Sequence, residues 1–315
     1  MTFPATAART PTEVAASIYS SLSLTVRGKP DALVIAVAAV MGGGHLLIED
    51  LPGTGKTLLA KTIAASIGGR FGRIQCTPDL MPSDVSGTSV YSLATSTWTF
   101  RPGPVFANVV LVDELNRASP RTQSALLEPM EERRVTVDGT TYELEPPFLC
   151  IATQNPASQL GTFPLPESQL DRFALSLSLG LPDRAAEREI LLGEGGSERL
   201  RGLAAVTSPP ELSATITEVG KVFVAEEVLG YLLDLIEAVR EHPLVAVGPS
   251  PRTVVSVLAS SRAVATLYGR AYVTPADVQQ VFTAGVAHRI SLHEAAGDAR
   301  GVVDAAMMSV PVPAG

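Results

Sequence analysis

Short apolar runs alternate with helically spaced segments through the first half of the chain. Runs at residues 46–48, 73–76, 109–112, 148–153 and 173–177 are too short for helices and are separated by segments with 3.6-residue periodicity. That alternation predicts an α/β fold, a parallel sheet with helices on both faces. A helix over 57–67 stops at Gly68-Gly69, and one over 29–41 stops at Gly42-Gly43-Gly44. A first helix over 11–21 has Thr10 as cap, Pro11 in its first turn and Glu13 to complete a capping box. A long helix after the 109–112 strand starts at Ser119-Pro120, with Pro129 predicted to kink it near its end.

Beyond Gly180 the pattern changes to helices only. Val228, Leu229, Leu232, Leu233, Ile236 and Val239 form one apolar stripe, and Ser250-Pro251 and Thr274-Pro275 are cap-plus-proline helix starts. The expected organisation is an α/β body over 1–180, a smaller all-α unit over 181–305, and a disordered tail over 306–315 carrying two prolines.

Composition supports a folded domain: 46% of the 315 residues are hydrophobic and 18% charged. With 24 basic and 32 acidic residues the formal charge is −8, which disfavours unspecific nucleic-acid binding. The two cysteines, Cys76 and Cys150, lack CxxC spacing and read as buried thiols of a reducing compartment. His45, His242, His288 and His293 show no metal-ligand spacing. No start-of-chain signal profile and no apolar run long enough to span a bilayer is visible, so the expected location is cytoplasmic.

The candidate chemistry sits at strand ends. Pro52, Gly53, Thr54, Gly55, Lys56, Thr57 and Leu58 follow the first strand and open a helix, as a phosphate-binding loop requires. Glycines let backbone N–H groups face phosphate oxygens, Lys56 meets the β and γ phosphates, and the Thr57 hydroxyl holds Mg²⁺. The general pattern GxxxxGK[ST] has glycine where this chain has Asp50, a residue type that tolerates unusual backbone angles. Two carboxylates end the 109–112 strand: Asp113 would hold Mg²⁺, directly or through water, and Glu114 would polarise the attacking water. Thr153-Gln154-Asn155 follows another strand, placing Asn155 to hydrogen-bond a γ-phosphate or that water. Arg172 could reach a neighbouring subunit's γ-phosphate, and Arg252 could report nucleotide state to the helical unit. On these residues the chain is expected to bind ATP with Mg²⁺ and hydrolyse it.

The set and order of these motifs resemble the AAA+ ATPases, and their wording resembles the MoxR family. The matching stretches include Glu49-Asp50-Leu51-Pro52-Gly53-Thr54-Gly55-Lys56-Thr57, Asp113-Glu114-Leu115-Asn116-Arg117, Gln123-Ser124-Ala125-Leu126-Leu127-Glu128, Glu167-Ser168-Gln169-Leu170-Asp171-Arg172-Phe173 and Ser250-Pro251-Arg252. The resemblance implies a five-stranded core with an α-helical lid, assembled as a homo-oligomeric ring, usually a hexamer. Lys56, Thr57, Asp113, Glu114 and Asn155 would then act in cis, Arg172 in trans, and Arg252 from the lid. It also implies the helix-2-insert clade, with the insertion at residues 78–98 and a hairpin at 135–142 turning on Asp138-Gly139. Family members are chaperone-like ATPases that act on protein substrates, often with von Willebrand factor A-domain partners. The chain departs from the family at 26–29 near the adenine pocket, at Cys76 and at Pro129. Competing readings are a slow nucleotide switch that scaffolds a partner, and a DNA-acting motor, which the acidic balance opposes. No Asn-Lys-x-Asp guanine motif is present.

Overall fold

The computed structural model describes residues 9–51, 53–155, 162–293 and 297–313. Helix α1 (Pro11–Thr25) starts on the capping box read from sequence, with Thr10 N donating to Glu13 Oε2 at 2.7 Å. It runs one turn further than its apolar pattern suggested. Helix α2 (Pro30–Met41) is buried on nearly every side from Leu33 onward. The chain then enters β1 (His45–Glu49) at Gly44, where a Cβ would stand 2.3 Å from that of Ala174, so only glycine lets the two segments pack.

Five parallel strands form the central sheet: β1, β2 (Phe71–Gln75), β5 (Val109–Asp113), β8 (Leu149–Gln154) and β9 (Phe173–Leu177), in spatial order β2-β5-β8-β1-β9. Strand alternation divides the core between the two faces. Val109, Leu111, Ile151, Leu46 and Ile48 pack beneath α1, α2 and α3 (Lys56–Ser66), whereas Val110, Val112, Cys150, Ala152 and Leu47 pack on the other side. The register sets Glu49 beside Gln154 and Gln75 beside Asp113, so the carboxyl ends of β1, β8, β5 and β2 align along one edge. That edge is where open α/β sheets bind ligands.

Between β2 and β5 lie α4 (Pro82–Ser86) and the hairpin β3 (Gly87–Ser92)–β4 (Thr97–Pro102), within and just beyond the expected insertion. The expected long helix after β5 is instead broken into α5 (Pro120–Ser124) and α6 (Leu127–Glu132). Pro129 has no N–H to give Ala125, and its ring crowds that carbonyl. The chain tightens at Ala125 and Leu126, whose amides donate three residues back. Hairpin β6 (Arg134–Val137)–β7 (Thr140–Glu143) turns at Asp138 (φ 51°) and Gly139 (φ 77°), as its Asp-Gly signal indicated.

After the short α7 (Glu167–Leu170) and β9 come α8 (Arg184–Leu191), α9 (Gly196–Arg201), α10 (Pro209–Val219), α11 (Glu226–Arg240), α12 (Pro251–Leu267) and α13 (Pro275–Val286). The region is not purely helical: β10 (Val245–Val247) pairs with β11 (Ser291–Leu292). Strands of this length carry no two-residue periodicity to be seen beforehand. The expected disordered tail over 306–315 is corrected over 306–309, which are helical. Helix α14 (Ala299–Ser309) buries Val302, Val303 and Ala306 against α11 and α13, and the two prolines fall after its end. One apolar core joins α1, α2, the sheet and α11–α14.

Candidate functional site

The loop after β1 is anchored by Asp50. This side chain is 6% exposed, and its carboxylate accepts from Ser178 Oγ (2.8 Å), Leu179 N (2.5 Å) and Gly180 N (3.1 Å). Its backbone stays out of the left-handed region, so tolerance of unusual angles is not why aspartate fits here. The acid fits because three donors meet it where β9 ends, which a buried carboxylate requires. Gly53 (φ +85°) and Gly55 (φ +97°) do take left-handed angles, and a Cβ at either would meet nothing within 4 Å. The loop therefore leaves an open cradle at the N-terminus of α3, whose dipole favours an anion. Lys56 Nζ lies over the loop, donating to Asp50 O (2.9 Å) and Leu51 O (2.7 Å). Pro52 lies outside the described residues.

Asp113, 8% exposed, faces the cradle from β5. Its Oδ1 accepts from Thr153 Oγ1 (3.0 Å) and its Oδ2 from Arg73 Nη2 (2.7 Å). Thr153 Oγ1 in turn accepts from Glu114 N at 2.8 Å. Glu114 sits in the left-handed region (φ 55°), turning its side chain out of the strand direction. Its Oε2 accepts from Gln75 Nε2 (3.3 Å) and Arg117 Nη1 (3.0 Å). Below them burial, reinforced by the charges of Asp113 and Glu114, pushes the Cys76 thiol up to about 12. Burial does the same to Cys150, and both thiols are free and neutral.

Together these groups line a cleft of about 450 Å³ that gathers Gly53, Gly55, Lys56, Thr57 and Leu58 with Asp113, Glu114 and Asn155. Thr54 lines the recess beside the cleft and donates to Leu51 O at 3.2 Å. A smaller recess of about 90 Å³ adjoins the loop, walled by Val26, Arg27, Leu58, Ala186 and Ile190. Five cleft residues carried no role of their own in the sequence reading: Arg73, Gln75, Thr153, Gln154 and Ser197. Arg73 and Gln75 alternate along β2, and polar residues at every second position of a short strand were the available signal.

Arg172 and Arg252 do not line this cleft. The structure brings them to each other: Arg172 Nη1 donates to Glu131 Oε2 and Arg252 Nη2 to Glu131 Oε1, each at 2.6 Å. Partial desolvation opposes ionisation of Glu131, but the hydrogen bond from Arg252 and the charges of both arginines hold its carboxyl below the ordinary value. Beside them Asp171 accepts from Ser250 Oγ at 3.0 Å, capping α12, and Arg289 Nε lies 3.6 Å from its Oδ1. Among the described residues, no cluster of three His, Cys, Asp or Glu side chains could cage a metal, and no helix is long and apolar enough to cross a membrane.

Sheet order, glycine cradle and acidic strand end define the AAA class. Residues 45–175 match the family described as "ATPase family associated with various cellular activities (AAA)", and residues 237–307 match the AAA lid domain. The chain is 42% identical over 290 residues to Bacillus subtilis YeaC, covering 91% of each. It is 37% identical over 269 residues to Chaperone MoxR1 of Mycobacterium tuberculosis, covering 81% of this chain and 70% of the relative. To Protein MoxR of Paracoccus denitrificans it is 30% identical over 327 residues, covering 94% and 95%. A crystal structure from Cytophaga hutchinsonii, of a protein described as a candidate ATPase, superposes with a TM-score of 0.86 at 32% identity, covering 96% of each chain. The chain belongs to the MoxR family of AAA+ ATPases.

Proposed function

We propose that this protein binds ATP with Mg²⁺ and hydrolyses it in a ring of like subunits, using the work to remodel or mature a partner protein. The observation that carries the reading is the convergence of Lys56, Thr57, Asp113 and Glu114 on one cleft at the carboxyl ends of β1 and β5. The open cradle at Gly53 and Gly55 suits a polyphosphate, and the apolar recess beside it suits a nucleobase. One hydroxyl and one carboxylate, completed by phosphate oxygens and water, is a donor set that fits magnesium rather than a caged metal. Thr57 and Asp113 would hold the ion, which supplies neutralisation of phosphate charge. Thr153 orients Asp113 from the side, and Lys56 exchanges its loop carbonyls for phosphate oxygens. Glu114 takes the proton of the attacking water, with Gln75 and Arg117 fixing its carboxylate until then. Arg172 and Arg252 face the nucleotide of a neighbouring subunit as a pair.

The name of the relative Chaperone MoxR1 supports the remodelling role, and the family resemblance suggests a von Willebrand factor A-domain protein as partner. The test is a pair of variants. Lys56→Ala is expected to abolish ATP binding by calorimetry, whereas Glu114→Gln retains nucleotide and turns over at least about a hundredfold more slowly. Normal hydrolysis by Glu114→Gln would sink the assignment. A Glu114→Gln protein that still served its partner would favour the slow-switch reading.

A further inference from the structure

Glu131 is the meeting point of three elements distant in the chain. It stands in the last turn of α6, Arg172 in the turn before β9, and Arg252 at the start of α12. Each oxygen of its carboxylate takes one guanidinium at 2.6 Å, so the two cations lie side by side across a single anion. Like charges that close repel unless a counter-charge sits between them. Asp171 cannot fill that role alone. Its oxygens hold Ser250 Oγ at the cap of α12 and face Arg289, which is 5% exposed, while Arg252 Nε lies 4.0 Å away. Two acids against three arginines leave the cluster net positive, and the side chains of Arg252 and Glu131 remain 46% and 40% exposed. Such an arrangement is open to an incoming anion.

We propose that Glu131 is a positioning residue for the paired arginines, holding Arg172 and Arg252 as one two-pronged receptor for the terminal phosphate on a neighbouring subunit. This rests on the shared-site reading given above. A phosphate carries more charge than a carboxylate and offers more acceptor oxygens, so it competes for both guanidiniums as they stand. Arginine side chains lose much conformational freedom on binding, and Glu131 removes that cost before the nucleotide arrives.

The role is tested by mixing full-length subunits that are each silent. The recipient carries Arg172→Ala; the donor carries Glu114→Gln, which retains nucleotide but does not hydrolyse it. Hydrolysis in the mixture then reports donor arginines acting on recipient ATP. Adding Glu131→Ala to the donor is expected to lower the restored rate at least fivefold, with ATP affinity of the donor unchanged. A donor with Glu131→Gln, which keeps the shape and loses the charge, is expected to restore no more than half the rate and decides the matter if the alanine variant melts early. Restoration at the full rate by a folded Glu131-substituted donor overturns the proposal, since a purely structural Glu131 would not act across the subunit boundary. Failure of the donor with Glu131 intact to restore any rate overturns the shared site itself, and the proposal with it.

Discussion

At Asp50 a general motif and this chain disagree, and the side chain explains why. The common phosphate-loop pattern has glycine there, but Asp50 holds two amides and a hydroxyl at the end of β9. Asp50→Gly would restore the pattern and still leave Leu179 N and Gly180 N without their acceptor. An orphaned buried donor costs roughly 1–3 kcal/mol and the half-buried Gly180 N less, so a loss of about 2–4 kcal/mol is expected for Asp50→Gly and Asp50→Ala alike. Urea unfolding of both variants measures it, and a glycine variant as stable as the native chain would remove the anchor role. Asp113, Glu114 and Asn155, which the structure gathers in one cleft, could be singled out beforehand because each follows a short apolar run and belongs to a spaced motif. Arg73 showed only as a polar residue alternating along its strand; its ion pair with Asp113, like the contacts of Glu131, depends on which strand lies beside β5 and which helix end meets α12. Those are facts of tertiary neighbourhood, absent from any local window.

Elements are tied together by buried polar side chains as well as by apolar packing. His45, at the start of β1, accepts from Cys150 N in β8 through Nδ1 (3.0 Å) and donates from Nε2 to Met130 O in α6 (2.9 Å). Only the neutral ring can do both. Burial accordingly lowers its pKa to about 4, and burial together with Arg289 lowers that of His288 to about 3. As pH falls, the unfolded chain takes up these protons near its ordinary histidine value while the folded chain does not. The stability they confer is therefore complete above that value and is lost as pH falls through it toward the folded pKa. Between pH 7.5 and 5 each ring is expected to withdraw about 2 kcal/mol. Urea unfolding at the two values should show the drop, and His45→Gln should remove about half of it; an unchanged slope would contradict the account. At this scale the five strands of the central sheet, the Asp138-Gly139 hairpin and the cap-plus-proline starts were readable in advance. Pro129 was visible as a disturbance, but a kink and a complete break differ in what else holds the segment. Here the chain tightens at Ala125 and Leu126 before resuming as α6, and no local propensity encodes that. Helix α14 was missed for a related reason: its apolar residues matter only because α11 and α13 present a face for them.

For the whole molecule, the separation of the cleft from the arginine pair is the fact with the largest consequence. The groups that could bind and activate lie at the strand ends, whereas Arg172 and Arg252 lie together on Glu131 outside that lining. If a single subunit were a complete enzyme, removing Arg172 would do little beyond breaking an ion pair that is partly exposed, worth at most about 1 kcal/mol. If the arginines serve a neighbour, their removal strips charge stabilisation from the transferring phosphoryl group, an effect of roughly 10³–10⁵ in other nucleotide hydrolases. Arg172→Ala is therefore expected to keep its ATP affinity and lose hydrolysis at least about a hundredfold. The native protein should in addition lose specific activity on dilution, in step with the loss of its oligomer in sedimentation velocity. Hydrolysis that stays at the normal rate in Arg172→Ala, or a specific activity that is constant down to concentrations where only monomer sediments, would place the complete site within one chain.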